Sequence, residues 1–193
     1  MLELRDLELG GAMVAVPRRF GDERGWFSEV WNRGRFAGAG IERDWCQDNQ
    51  SLSAEVGTLR GLHYQSPPFA QAKLVRVLAG AIRDVVVDAR RGSPTYGRHA
   101  SVEVTAEGLT QIFVPTGFLH GFVTLRPDTM VLYKVDAPYS AEHDGAVAWN
   151  DPDLAIDWGL GRDGLPPEPV LSAKDAAAPT LARAEPPFAM EGA

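Results

Sequence analysis

The chain has 193 residues, 45% of them hydrophobic, which is enough for one domain with a substantial core. Its 19 basic and 26 acidic residues give a formal charge of −7, which argues against nucleic acid as a partner. A single cysteine excludes an intramolecular disulfide framework, and no apolar run approaches the roughly 18 residues that span a bilayer, so the sequence predicts a cytoplasmic protein without membrane contact.

The N-terminal part of the chain predicts short elements around a charged loop. Residues 13–16 form the first predicted strand. Residues 27–31 predict a second, because Phe27, Glu29 and Trp31 alternate with other side chains as they do along a strand. Residues 32–39 predict a short helix that glycines end early.

A β pattern extends over residues 45–149. Apolar runs separated by Gly, Pro and Asp turns predict strands at residues 73–79, 82–89, 98–105, 109–115, 119–125 and 130–135. Strands spaced by roughly 8 to 12 residues are typical of an antiparallel sandwich or barrel. The Ala/Pro-rich residues 179–193 predict a weakly ordered extension of a domain that covers residues 1–178.

Residues 47–73 concentrate groups that bind and react, namely Gln47, Asn49, Arg60, His63 and Lys73. Histidine exchanges protons near neutral pH because its unperturbed pKa is about 6.5, which makes His63 a candidate base. A structural histidine and an exposed lysine at the end of a strand are the alternatives for His63 and Lys73. The segment is therefore the first place to look for chemistry.

Further candidates lie outside this segment, and each has a structural alternative. His120 follows a Pro-x-Gly turn and is either a site residue or a buried, hydrogen-bonded histidine. Tyr133 either packs or presents its hydroxyl group. Arg24, like Arg60, stands beside glycine and suits either phosphate or an ion pair.

Two aspartates share one face of a predicted strand. One of Asp84 and Asp88 is expected to point into a cavity, and a turn-capping or salt-bridged role fits Asp88 equally well. Catalytic metal sites usually take three protein ligands, often spaced His-x-His or Glu-x-x-His, and neither spacing occurs. The sequence therefore predicts no metal.

Eight segments, in this order and spacing, together resemble the dTDP-4-dehydrorhamnose 3,5-epimerase family over residues 13–180. They are FGDERGWFSEVW, QDNQSLS, GTLRGLHYQ, QAKLVRVLAGAIRDVVVDARRGSPTYG, VPTGFLHGFV, YKVDAPYS, WNDPDLAIDW and LSAKDAAAP. The resemblance implies a mainly β protein, a cupin-type antiparallel jelly-roll barrel with short peripheral helices. It also implies a homodimer without cofactor or metal that takes a 4-keto-6-deoxyhexose joined to thymidine diphosphate (dTDP).

The resemblance also implies roles for four residues. A hydrogen next to a ketone is removed as a proton to give an enolate, which needs a base, a cation at the oxygen and an acid on the opposite face. By resemblance His63 is the base, Asp175 orients its ring, Lys73 holds the enolate oxygen and Tyr133 returns a proton.

Substrate-binding residues are implied in the same way. They are Arg24, Glu29, Gln47, Asn49, Arg60, His120, Asp144 and Lys174. The cations suit the diphosphate and the amides suit the thymine or ribose. Asp144 stands in for a glutamate of the family pattern, and Glu142 is its rival.

Two other functions stay open. Relatives in antibiotic-sugar pathways invert only C3 or only C5 with the same base and acid, and the motifs do not separate them from a 3,5-epimerase of rhamnose biosynthesis. A non-catalytic or metal-dependent cupin that binds a small metabolite is the second alternative.

Overall fold

The computed structural model describes residues 2–190, which form two antiparallel sheets facing each other. The strands of the six-stranded sheet, in spatial order, are β1 (Glu3–Asp6), β2 (Met13–Val16), β10 (Gln111–Val114), β7 (Lys73–Ala79), β12 (Thr129–Val135) and β5 (Gln47–Ser53). The strands of the five-stranded sheet are β13 (Asp144–Ala146), β6 (Leu59–Gln65), β11 (Phe118–Thr124), β8 (Ala81–Asp88) and β9 (His99–Thr105). This architecture confirms the predicted jelly-roll barrel.

Apolar side chains from the two sheets meet between them. Val75 and Val131 of the six-stranded sheet belong to the same buried cluster as Ile82, Val86 and Phe122 of the five-stranded sheet. Burial of such side chains contributes roughly 25 cal/mol for each Å² of apolar surface removed from water. The cluster therefore fixes the spacing of the walls that enclose the site.

The six predicted strands after residue 72 all occur, with ends shifted by at most two residues. The helix predicted at residues 32–39 is α1 (Arg33–Gly38), and the side chain of Asn32 caps it by accepting a hydrogen bond from the Arg35 amide. Among residues 2–190, no helix has the length and apolar character needed to cross a bilayer.

The prediction of a strand at residues 27–31 is wrong beyond residue 28. β4 (Gly25–Ser28) pairs only with β3 (Arg19–Asp22), and the two make a separate hairpin closed by a tight turn. Phe27 is 69% exposed, so its alternation with neighbouring residues does not reflect burial against a sheet of this chain.

Residues 171–190 run along the five-stranded sheet. They contain the short helices α2 (Ala173–Ala176) and α3 (Leu181–Ala184). Leu181 and Phe188 are buried in a second apolar cluster, together with Leu62 and Val87 of the five-stranded sheet. The rings of Phe188 and Tyr64 pack edge-on, with their centroids 5.7 Å apart. Leu181 and Phe188 fall in the extension predicted at residues 179–193, of which residues 191–193 lie outside the described residues.

Asp88 ties together the end of β8 and the loop that follows it. Its side chain is fully buried and accepts hydrogen bonds from Arg90, Ser93 and Thr95 at 2.5–3.0 Å. Burial raises the pKa of this carboxyl, but the three donors outweigh burial and lower it to about 2. Asp88 therefore both caps the turn and forms a salt bridge, as its alternative interpretation predicted.

Replacing Asp88 with asparagine should destabilise the fold by about 3 kcal/mol, because buried donors lose a charged acceptor. For a chain of this size the expected fall in Tm is about 6–12 °C, measurable by calorimetry. Since the folded pKa is depressed, the stabilisation is present above pH about 4 and is lost as pH falls toward 2. An unchanged Tm at neutral pH would contradict this account.

Candidate active site

A cavity lies between the two sheets, and most of its lining residues carry polar or charged groups. Residues from five strands line it, namely Gln50, Ser51, Arg60, His63, Lys73, His120, Phe122 and Tyr133. Its volume is about 170 Å³. Pockets that take a whole small-molecule ligand usually measure about 300–1,000 Å³, so this cavity suits one ring-sized part of a larger ligand.

His63 stands in the wall formed by the five-stranded sheet and is paired with a carboxylate from a distant part of the chain. Its Nε2 lies 2.5 Å from Oδ1 of Asp175, which is 112 residues further along. Asp175 is 4% exposed and sits in the single turn of α2, where its amide donates to the Ser172 side chain. The contact at Nε2 leaves Nδ1 of His63 as the nitrogen that can take a proton.

The pKa of Asp175 reflects this pairing. Burial raises it, but the hydrogen bond to His63 and the electrostatic effect of its ring outweigh burial, with further lowering by Ser172 and Lys174, so the carboxyl stays ionised. An ionised carboxylate beside an imidazole orients the ring and stabilises the imidazolium that forms when it takes a proton. The pair is thus arranged for general-base chemistry.

Lys73 and Tyr133 stand in the opposite wall, on neighbouring strands of the six-stranded sheet. The Lys73 Nζ lies 5.9 Å from the centre of the Tyr133 ring. Burial lowers the pKa of Lys73 to about 8, partly offset by the negative charges of Asp144 and Asp84. Burial also raises the pKa of Tyr133, which keeps its phenol protonated at neutral pH. This wall therefore offers a cation and a proton donor.

His120 lies beside His63, because the two are directly opposite each other on β11 and β6. It is buried, and its Nε2 lies 2.7 Å from Oδ2 of Asp84. His120 is therefore a buried, paired histidine, and it also lines the cavity. Of the two aspartates on β8, Asp84 is the one that contacts His120.

The rim beside His63 carries a second group of charges. Asp144 Oδ2 accepts hydrogen bonds from Lys174 Nζ at 2.5 Å and from the Tyr139 hydroxyl at 3.2 Å. The charge of Asp144 reaches Lys73, whose pKa it raises. Glu142, its rival from the sequence, is exposed. The geometry therefore places Asp144 near the predicted site residues.

Three more predicted residues have polar contacts near the cavity. Gln47 donates to Asn49 at 2.7 Å and accepts from the Tyr139 amide at 3.1 Å, so the two amides are held in place on β5. Arg60 lines the cavity and donates to Ser53 at 3.2 Å.

Two predicted residues are not brought to this cavity within one chain. Arg24 sits in the β3–β4 hairpin, exposed, with its Nη2 2.5 Å from Asp22. Oε1 of Glu29 lies 3.1 Å from Nε of Arg35, which belongs to helix α1. Neither residue lines the cavity. Within residues 2–190, no group of three or more His, Cys, Asp or Glu side chains is placed to hold a metal ion.

Sequence reasoning left three cavity residues, and Asp84 behind His120, out of the predicted site. Gln50, Ser51 and Phe122 carry no local signal, because their positions depend on how distant strands meet. For Asp84 the signal was its place on the face shared with Ile82 and Val86.

Two antiparallel sheets that enclose a His–Asp pair, a lysine and a tyrosine define a jelly-roll protein equipped for acid–base chemistry. The chain belongs to the dTDP-4-dehydrorhamnose 3,5-epimerase family, whose sequence model matches residues 6–183. This confirms the resemblance carried by the motifs.

Individual relatives agree with that assignment. The chain is 49% identical over 181 residues to dTDP-4-dehydrorhamnose 3,5-epimerase of Sinorhizobium fredii, covering 92% of this chain and 88% of that protein. The crystal structure of the Bacillus anthracis dTDP-4-dehydrorhamnose 3,5-epimerase, with TDP and PPi bound, superimposes with a TM-score of 0.88 at 44% identity and covers 93% of this chain and 99% of its own. The Legionella pneumophila dTDP-6-deoxy-D-glucose-3,5-epimerase in complex with dTDP-4-keto-L-rhamnose also gives 0.88, at 40% identity and 94% coverage of both chains.

Proposed function

We propose that this protein is an isomerase that inverts C3 and C5 of dTDP-4-dehydro-6-deoxyglucose to give dTDP-4-dehydrorhamnose. The observation that carries the proposal is the placement of His63 and Tyr133 on opposing sheets across one cavity. Inversion requires that a proton leaves one face of a carbon and another arrives on the opposite face. A base and an acid that face each other meet this requirement, and the names of the relatives support the substrate.

The proposed step begins with His63. Its Nδ1 takes the proton from C3, whose C–H bond is weakened by the neighbouring C4 ketone, and the electron pair forms an enolate with its charge on the C4 oxygen. The ammonium of Lys73 stabilises that oxygen. Tyr133 then gives its hydroxyl proton to C3 from the other face, and the ketone reforms.

Solvent restores the two proton carriers. The Tyr133 phenolate regains a proton and the His63 imidazolium releases one, after which the same sequence applies to C5. The raised pKa of Tyr133 makes it a weak acid, but an enolate carbon is much more basic than a phenolate, so the transfer runs toward the product.

The nucleotide part is assigned to the cavity rim. The cavity holds one ring, so the diphosphate and thymidine extend beyond it, where Arg60 and Lys174 supply positive charge and Gln47 and Asn49 supply amides. His120 contacts the sugar from the cavity wall in this proposal. Arginine and lysine are the usual protein partners of phosphate.

We assign the contact between two copies of the chain to the β3–β4 hairpin. Phe20, Trp26 and Phe27 expose 47%, 55% and 69% of their surface on this hairpin, which pairs with neither barrel sheet. Large apolar side chains that are exposed together on one hairpin favour an interaction site. We assign the homodimer to it, with Arg24 and Glu29 binding substrate at the partner's rim. Sedimentation equilibrium of a Trp26→Ser, Phe27→Ser variant should show monomer, and an unaltered dimer would exclude the hairpin.

The proposed reaction is tested by product configuration. Incubation with dTDP-4-dehydro-6-deoxyglucose, followed by reduction and proton NMR, should show inverted coupling patterns at both C3 and C5, with or without a metal chelator. Inversion at one carbon would replace the proposal with a mono-epimerase. Absence of conversion, or its loss with chelator and return with added metal, would favour a cupin that binds or uses a metal.

The role proposed for Lys73 predicts that the rate falls on the alkaline side of the pH–rate profile. The enolate needs a protonated ammonium, so activity should fall as pH rises through about 8, the value to which burial lowers the pKa of Lys73. Lys73→Arg should abolish this alkaline limb because arginine stays charged. Lys134→Met is the matched control, since Lys134 on the neighbouring strand pairs with Asp48 outside the cavity. A wild-type rate that stays constant well above pH 8 would contradict the role of Lys73.

A further inference from the structure

Asp84 is a buried carboxylate that the mechanism above does not use. It is 1% exposed on β8, between Ile82 and Val86, and lies opposite Phe122 and Val102 of the neighbouring strands. Its Oδ2 meets Nε2 of His120 at 2.7 Å. Its Oδ1 is buried and makes no hydrogen bond with any of residues 2–190.

Such a group is costly to the fold. A buried carboxylate is stable only when its oxygens are paired, and an unpaired oxygen in an apolar setting is strongly disfavoured. Asp88, four residues along the same strand, has several donors around both oxygens. Asp84 therefore differs from a carboxylate whose role is to hold the structure together.

The charge of Asp84 reaches a second group in the cavity. It raises the pKa of Lys73 against the larger lowering caused by burial. The other titratable or charged groups around Lys73 are Asp144 on β13, Lys174 on α2, Tyr133 on β12, Arg60 and His63 on β6, and His120 on β11. Of the two carboxylates that act on Lys73, Asp144 has the larger effect and also accepts a hydrogen bond from Lys174, whereas Asp84 has no cationic side chain as a hydrogen-bond partner among residues 2–190.

We propose that Asp84 is a positioning residue: its buried carboxylate fixes His120 by its Nε2, so that Nδ1 of His120 is the nitrogen left for the substrate, and its charge stabilises the ammonium of Lys73 in the same cavity. The catalytic part of this inference rests on the proposed function. The electrostatic link between Asp84 and Lys73 is a property of the protein alone. It is measurable without substrate.

The test uses the small number of lysines in the chain, which are Lys73, Lys134 and Lys174. In protein labelled with ¹³C at lysine Cε, three signals titrate, and Lys73→Arg identifies the one from Lys73. In Asp84→Asn the Lys73 pKa should fall by about one unit, while Lys134 and Lys174 serve as internal controls. Asp84→Glu, which keeps the charge, should restore the wild-type titration.

Activity and stability give independent readouts. In Asp84→Asn, kcat should fall by about 10- to 100-fold with little change in KM, and the alkaline limb should move to lower pH by the same shift as the Lys73 signal. Tm should stay within a few degrees of wild type, because only one of the two carboxylate oxygens of Asp84 has a hydrogen-bond partner. Asp88→Asn is the matched control: it should lower Tm and leave the Lys73 titration and the limb unmoved.

Three results would overturn the proposal. The first is a Lys73 signal that titrates alike in wild type and Asp84→Asn. The second is a loss of folding or of Tm in Asp84→Asn as large as in Asp88→Asn, which would make Asp84 structural. The third is a rate loss in Asp84→Asn without movement of the limb. A wild-type protein without epimerase activity would refute the proposed function instead, and the lysine titration would still decide the link.

Discussion

Replacing His63 with asparagine is expected to lower epimerisation and hydrogen exchange at both C3 and C5 by about 10³-fold or more. Asparagine retains a polar contact with Asp175 but cannot accept a proton at neutral pH. Since His63 is the proposed base at both carbons, the two positions should lose exchange together. Substrate KM should change little, because the nucleotide contacts are elsewhere. The measurement is deuterium incorporation by NMR in heavy water.

The control is His143→Asn. His143 lies before β13, where its Nδ1 is 2.8 Å from the Ser140 hydroxyl, and it does not line the cavity. It should keep nearly full activity. Wild-type exchange by the His63 variant at either carbon would remove His63 as the base for that carbon.

Replacing Tyr133 with phenylalanine is expected to separate proton removal from inversion. His63 still forms the enolate, and its imidazolium exchanges with solvent and returns a deuteron to the same face. Deuterium should therefore enter the substrate with retained configuration, while inverted product falls by about 10²-fold or more. The fold should tolerate the change, since phenylalanine keeps the ring and Tyr133 is only partly buried.

Tyr96→Phe is the control for the hydroxyl. Tyr96 is 43% exposed and lies in the loop after β8, away from the cavity. It should leave exchange and inversion coupled. If Tyr133→Phe inverted both carbons at the wild-type rate, the acid would have to be another group.

The barrel strands were predictable because their signal is local. Between residues 73 and 135, apolar runs alternate with Gly, Pro and Asp turns, and the six predicted strands coincide with the observed ones within two residues. The alternation near Phe27 predicts a strand to residue 31, but β4 ends at Ser28 and pairs with β3 without a buried face at Phe27. Periodicity alone does not distinguish these two cases.

The site was predictable only in part from the residue types. His63 and Lys73 stand out in one segment, but nothing local links His63 to Asp175, which is 112 residues away. Ordered family motifs supplied that link. The role of Asp84 depends on its contact with His120 and on an unpaired oxygen, and neither property is visible in a linear sequence.

The packing of the C-terminal segment also differs from what its composition predicts. Its Ala/Pro-rich composition predicts weak order, yet Leu181 and Phe188 are buried against the five-stranded sheet. Two apolar residues in a mostly polar and small-residue segment are enough to anchor it when the sheet offers a matching surface. Composition does not reveal such a surface.

The most direct test of the account is an isotope count in the wild-type product. After incubation with dTDP-4-dehydro-6-deoxyglucose in heavy water, NMR should show one deuteron at C3 and one at C5 of the inverted sugar, because Tyr133 draws each returned proton from solvent. Inverted product that carries hydrogen rather than deuterium at both carbons would contradict enolate formation by His63 and reprotonation by Tyr133.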